Sequence, residues 1–349
     1  MSALERLRST LADHGADAML VTTPENVRYL SSFATPADAV VLVTPERVVL
    51  LTDARYTAQA AEQSRIPVEI VQGLDQAAAE RSKGLRLAVE GDHVTLKRFR
   101  ALADALGADP IVLDGVMNPL RVVKTAEEID HLRAAARVTD AAFEAALTML
   151  RPGVREVEVA LEMERTMRLE GAEGSGFDII VASGVRGAMP HGVASNKVIE
   201  AGELVTLDFG AVVAGYHADM TRTVAVGDVG TEERRMYDAV LEAQEAAVAA
   251  VAPGRVGREL DAVARDILTR HGLGEYFAHS LGHGTGLHIH EDPRLSNRSD
   301  DVLVPGMIVT VEPGVYIPGF TGLRIEDLLV VTDSGHEVLS KSPKAFRCV

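Results

Sequence analysis

The feature that most constrains the fold is a repeated conflict: carboxylates embedded in apolar, strand-like runs on both sides of a turn. In LVTLDFGAVVAGYHADMTRT two such runs flank a turn near Val213–Gly215. With the hairpin centred between Val213 and Ala214, Asp208 falls opposite Asp219. In TVEPGVYIPGFTGLRIEDLL the turn is Pro318-Gly319, and centring on Gly319 sets Glu312 opposite Glu326. Opposed residues of an antiparallel pair share a face, with Cβ atoms about 4.5–5.5 Å apart. Two ionised carboxylates at that separation, inside apolar runs, are costly unless a cation compensates them. Four carboxylates with histidine make a shell suited to two hard divalent ions. Two such ions about 3.5–4 Å apart can hold a hydroxide and polarise a carbonyl, which is hydrolytic chemistry.

Histidine is supplied between the two hairpins. GHGTGLHIHE, residues 282–291, holds His283, His288 and His290 among three glycines. It contains no HExxH pair, which excludes the helical zinc-peptidase arrangement. Its own carboxylates are Glu291 and the adjoining Asp292, so most ligands of any metal here come from elsewhere. Each piece has a plainer reading taken alone: an acidic residue on an edge strand is commonly solvated, a His after Gly commonly structural, and Arg324 can pair with a carboxylate of its own hairpin. Their coincidence weakens those readings.

The rest of the composition narrows the function class. The chain has 349 residues and a net charge of −16. That charge opposes sequence-independent nucleic-acid binding and attachment to anionic lipid. The single cysteine, Cys348, rules out an internal disulfide and any Cys-based zinc site. The first residues carry charge throughout, without the apolar centre of a secretory leader. No run reaches the roughly 18 apolar residues of a membrane span. The expected location is cytoplasmic.

Two domains are expected, 1–121 and 122–349. In the first, Leu4, Leu7 and Leu11 repeat at helical spacing, and AMLV (18–21), AVVLV (39–43) and RVVLL (47–51) read as buried strands. TDARYTAQAAEQ follows and turns helical, and ALADALGADPIVL reads as helix, turn, strand. Asn118 and Pro119 are expected in a linker. Thr125 with Glu128 then forms a capping-box signature. Helices are expected to about Leu150, over about 155–170, 231–251 and 256–271, with hairpin strands between and after them. The expected class is α/β followed by α+β.

At this point the residues resemble a known family. The last 225 or so resemble the "pita-bread" metallopeptidases, which include methionine aminopeptidases, prolidases and aminopeptidases P: Asp208 in LDFGA, Asp219 in HADMTRT, His283 in GHGTG, Glu312 in VEPG and Glu326 in RIED. The resemblance implies that these five bind two metal ions, with Asp208 and Glu326 bridging. It implies that His191 in MPHG lines the site, that His290 contacts substrate or leaving group, that His279 is a further pocket histidine, and that Arg324 orients ligands. Glu312 would shuttle the proton, and His191 or His290 would donate to the developing oxyanion. His288 and His271 match nothing in the pattern and are expected on the surface or in packing. A carboxylate-rich set with one imidazole points to Mn²⁺, with Zn²⁺ or Co²⁺ as alternatives.

The N-terminal part resembles the creatinase N-domain, through NVRYLSSF and TDARYTAQA. It departs from that pattern at ATPADAVV, where relatives often carry a Gly-rich turn. Together the two parts resemble the Xaa-Pro branch, acting on peptides with proline second. Asp53, Arg55 and Tyr56 match the DxRY motif of small bacterial aminopeptidases P. On that motif an aminopeptidase is favoured over a dipeptidase (prolidase), which needs a cation for the substrate carboxylate; Arg294 and Arg47 are the candidates. A pita-bread protein that binds peptides or proteins without catalysis is the remote alternative, and creatinase-like hydrolysis without metal is a third; both clash with the intact ligand set. The expected assembly is a homodimer.

Overall fold

The computed structural model describes residues 3–349. It divides into two compact units, one ending at Arg121 and one beginning at Val122. The first unit is built on six strands: β1 (Ala18–Val21), β2 (Ala39–Val43), β3 (Val48–Thr52), β4 (Val68–Ile70), β5 (Leu87–Glu90) and β6 (Ile111–Leu113). They lie in the order β4-β3-β2-β1-β5-β6. The β1–β2 and β2–β3 pairs are antiparallel; the others are parallel. Alternate residues serve two cores: Met19, Val21, Val41 and Val43 enter one, and Ala18, Leu20, Val40 and Leu42 the other. A sheet buried on both faces needs continuous apolar runs, which is how these segments read. The stretch expected as a linker is a helical turn, Asn118–Arg121, with Leu120 and Arg121 buried. Pro fits there because the first turn of a helix needs no N–H from it.

The second unit contains two helix pairs, Ala126–Met149 with Glu156–Leu169, and Thr231–Ala250 with Gly257–Arg270. Thr125 and Glu128 form the expected capping box. Each pair is joined through a Pro-Gly turn whose glycine is left-handed, Gly153 (φ 94°) and Gly254 (φ 82°). The first pair covers a core with Val205, Leu207 and Phe209, and the second a core with Val309, Val311 and Leu329.

The strands facing these helices run in chain order as β7 (Gly174–Ser175), β8 (Ile180–Ser183), β9 (Glu203–Phe209), β10 (Ala211–Val213), β11 (Tyr216–His217) and β12 (Met220–Val226). After the second helix pair come β13 (Gly282–Gly284), β14 (Glu291–Leu295), β15 (Ile308–Val311), β16 (Gly314–Ile317), β17 (Thr321–Arg324), β18 (Asp327–Thr332) and β19 (Gly335–Val338). The first carboxylate hairpin differs from expectation. Its turn is Ala214-Gly215, both left-handed (φ 51° and 82°), the signature of a two-residue hairpin turn whose twist matches its strands. The register is therefore two residues over: Asp208 pairs with Thr221, and Asp219 lies diagonal to it. A shift of two keeps every side chain on its face, so the two aspartates still share one. The second hairpin has the expected register, Gly314 with Arg324 and Val311 with Asp327, which sets Glu312 against Glu326.

Candidate metal centre

The two hairpins meet where their ladders open. Glu312 N donates to Leu281 O at 2.8 Å, which ties its strand to the segment carrying His283. Glu326 N donates to Thr221 O at 3.0 Å, which ties its strand to β12. Gly210 sits across from Asp219 at the break between β9 and β10, where an added Cβ would lie 1.7 Å from Ala218 O. Only glycine permits that approach. One carboxylate oxygen from each of Asp208, Asp219 and Glu326 lies within 4.8 Å of the others. His283 Nε2 stands 3.4 Å from Glu312 Oε1 and 3.6 Å from Asp219 Oδ2.

The electrostatics are those of a site built for cations. Burial, then the charges of Asp208 and Glu312, holds the Asp219 carboxyl well above the usual carboxylate range. Glu326 is raised the same way by burial and by Asp219. Burial pushes Glu312 up to about 7. His283 is driven down to about 3 by burial and is neutral. With Nδ1 donating to Gly284 O at 2.9 Å, its Nε2 lone pair faces two carboxylates, an arrangement of acceptors that a carboxyl proton or a metal cation between them satisfies. Asp208 Oδ1 is buried and meets no hydrogen-bond donor among the described residues. The donor set therefore fits divalent ions held by Asp208, Asp219, His283, Glu312 and Glu326.

Two profiles match the chain: Metallopeptidase family M24 over residues 130–333, and the Creatinase/Prolidase N-terminal domain over residues 4–123. The chain belongs to metallopeptidase family M24. An Xaa-Pro dipeptidase from Pyrococcus furiosus is 39% identical over 98% of both chains. The solved structure of an Xaa-Pro dipeptidase from Bacillus anthracis is 48% identical, with a TM-score of 0.96 over 99% of both chains. An X-Pro aminopeptidase from Thermotoga maritima is 38% identical, with a TM-score of 0.90 over 96% of this chain and 98% of that one. The fold is that of its M24 relatives, with a creatinase-type N-terminal domain and a pita-bread domain.

Within the M24 domain a cavity of about 300 Å³ opens on the carboxylates. Asp219, His283, Glu312 and Glu326 line it together with His191 and His290, and Phe177, Ile180, Val193 and Ile289 form an apolar wall. The ring of His290 stacks edge-on against His283, with centroids 4.5 Å apart. Arg324 is not in the lining; its guanidinium pairs with Asp208, and its Nε reaches Thr221 Oγ1 at 3.0 Å. His279 is not in the lining either, contrary to expectation. It lies behind Tyr316, whose hydroxyl is 3.0 Å from its Nε2, and burial holds it down at about 4. Arg294 pairs in register with His283 and leaves its side chain exposed. Arg47 is engaged by Glu69 at 3.0 Å. His271 bonds Glu242 at 2.7 Å on the surface, and His288 is exposed.

Asp53, Arg55 and Tyr56 form a knot of their own in the N-terminal unit. Arg55 Nη2 grips Asp53 at 2.7 Å and Asp38 at 3.1 Å, and Tyr56 donates to Asp38 at 2.7 Å. Asp38 comes from the atypical ATPADAVV loop. The sequence reading missed the hydroxyls that hold the ligands: Thr221 donates to Glu326 Oε2 at 2.7 Å and Thr310 to Glu312 Oε1 at 3.2 Å. Their signal was available, since each shares a strand face with a ligand two residues away.

Proposed function

We propose that the chain is a dinuclear-metal Xaa-Pro dipeptidase. Its hydrolytic centre is supported by one observation above the others: a neutral buried imidazole and buried carboxylates all aim acceptors at one point. The dipeptide preference is supported by likeness to the Pyrococcus and Bacillus enzymes along the whole chain. On that likeness it is preferred to the aminopeptidase favoured on DARY, a motif whose residues are engaged with one another and with Asp38. The Thermotoga enzyme keeps the aminopeptidase as the second reading.

Bound divalent ions, with Mn²⁺ expected from the donor set, supply polarisation of the scissile carbonyl and acidification of water. The remaining work falls to side chains. Glu312, held by Thr310, takes the proton of the attacking water and delivers it to the proline nitrogen as the amide breaks. His191 and His290 donate to the oxygen as it gains charge. Arg324 keeps Asp208 in place, and the apolar wall receives the substrate side chains. Arg294, beside His283 in register, anchors the substrate carboxylate, the feature a dipeptidase needs. The expected assembly is a homodimer, checked by sedimentation.

The test is kcat/KM for Xaa-Pro against the matching Xaa-Pro-Xaa with Mn²⁺ supplied. The dipeptide should win by tenfold or more, about 1.4 kcal/mol, and Arg294→Ala should erase that preference. A preference for the longer peptide restores the aminopeptidase.

A further inference from the structure

One charged pair stands apart from the ligands and their hydroxyl supports. Lys124 Nζ lies 3.1 Å from Glu291 Oε2, and the two side chains are only 1% and 5% exposed. They are 167 residues apart in the chain. Lys124 sits on a fixed platform: its N–H bonds Gly306 O at 2.9 Å, and Val123 bridges Met307. Glu291 ends the loop that bears Ile289 and His290. Its other oxygen, Oε1, accepts from His288 N at 3.0 Å, which closes the loop on itself. The loop passes close over the pair at Gly286, where a Cβ would lie 2.8 Å from Glu291 Oε2 and 3.1 Å from Lys124 Cε. From there Gly286 O accepts from His217 N at 2.8 Å, two residues before Asp219.

A buried ion pair adds little net stability over an apolar pair of the same size, because desolvation offsets attraction. Removing either partner alone is strongly penalised, because it leaves an uncompensated buried charge. Here the pair fixes residues 285–291, whose Ile289 and His290 form a wall of the cavity.

We propose that Lys124, acting through Glu291, is a positioning residue that sets His290 and Ile289 against the substrate. The role of His290 in this proposal rests on the peptidase reading above; the ordering of the loop does not. The experiment compares wild type, Lys124→Met, Lys124→Arg and Lys124→Met/Glu291→Gln, all metal-loaded. Hydrogen exchange over 284–292 should rise about tenfold or more in Lys124→Met, while exchange over 203–226 and metal content hold. On Xaa-Pro, kcat and kcat/KM should fall together by about tenfold with KM little changed, the pattern of a lost transition-state contact. Lys124→Arg should recover part of that. In a His290→Ala background, Lys124→Met should cost less than about threefold more, because two residues acting through one contact are not additive. Unchanged exchange over 284–292, or fully additive losses, overturns the proposal. If Lys124→Met does not fold, the double variant, which removes both charges together, is read by the same criteria. A wild type inactive on Xaa-Pro refutes the peptidase reading but leaves the exchange result to decide the loop.

Discussion

Loading the site with metal should displace protons, and the structure sets how many and at what pH. In the metal-free protein burial raises Glu312 to about 7, and Asp219 and Glu326 lie well above their usual range. A raised carboxyl is protonated below its folded value, and a metal ligand must be ionised, so affinity falls as pH drops through about 7. Glu312 alone should release about 0.9 proton on binding at pH 6 and about 0.1 at pH 8. The corresponding gain in affinity from pH 6 to 8 is about tenfold, or about 1.4 kcal/mol. Asp219 and Glu326 act in the same direction and steepen it. His283, held at about 3, is already neutral and releases nothing in this range. The assay is calorimetric titration of Mn²⁺ into metal-free protein at pH 6, 7 and 8, in two buffers of different ionisation enthalpy. Affinity independent of pH, or release below about 0.3 proton at pH 6, would refute the claim that these carboxyls are protonated by burial and mutual repulsion.

Three further outcomes follow from the same geometry. Glu312→Gln, with metal content measured beside it, should lower kcat by about 10²–10⁴-fold; wild-type turnover in a fully loaded variant removes Glu312 from proton transfer. Gly210→Ala places a methyl 1.7 Å from Ala218 O and should destabilise by about 3 kcal/mol, seen as a Tm about 5–10 °C lower; an unchanged Tm would mean that the strand break relaxes freely. Arg324→Met removes the cation that opposes protonation of Glu312, so the midpoint of proton release should move to higher pH in the same calorimetric titration, and a fixed midpoint contradicts that assignment.

Much of the N-terminal sheet is legible because its strands are buried on both faces and write unbroken apolar runs into the chain. The helices of the second unit are legible through periodicity, the capping box at Thr125 and the two Pro-Gly stops. The first hairpin shows the limit of such reading. Its register depends on which residue pair accepts left-handed dihedrals, and Ala214 is a poor advertisement for that conformation. The error was harmless for the site because a displacement of two leaves the face unchanged. DARY is legible as a unit for another reason: a motif marks that its residues act together, and here they act on each other and on Asp38.

By itself the sequence determined which carboxylates share a strand face and that a cluster of histidines lies between the two hairpins, since alternation is a local property; the family pattern singled out His283. Tertiary structure decided the rest. It sent the amides of Glu312 and Glu326 out of their own ladder toward Leu281 and Thr221, gave Arg324 to Asp208 across 116 residues, moved His279 behind Tyr316, and closed Lys124 onto Glu291. Those partners are chosen by packing between segments more than a hundred residues apart or by burial, and neither leaves a period in the chain.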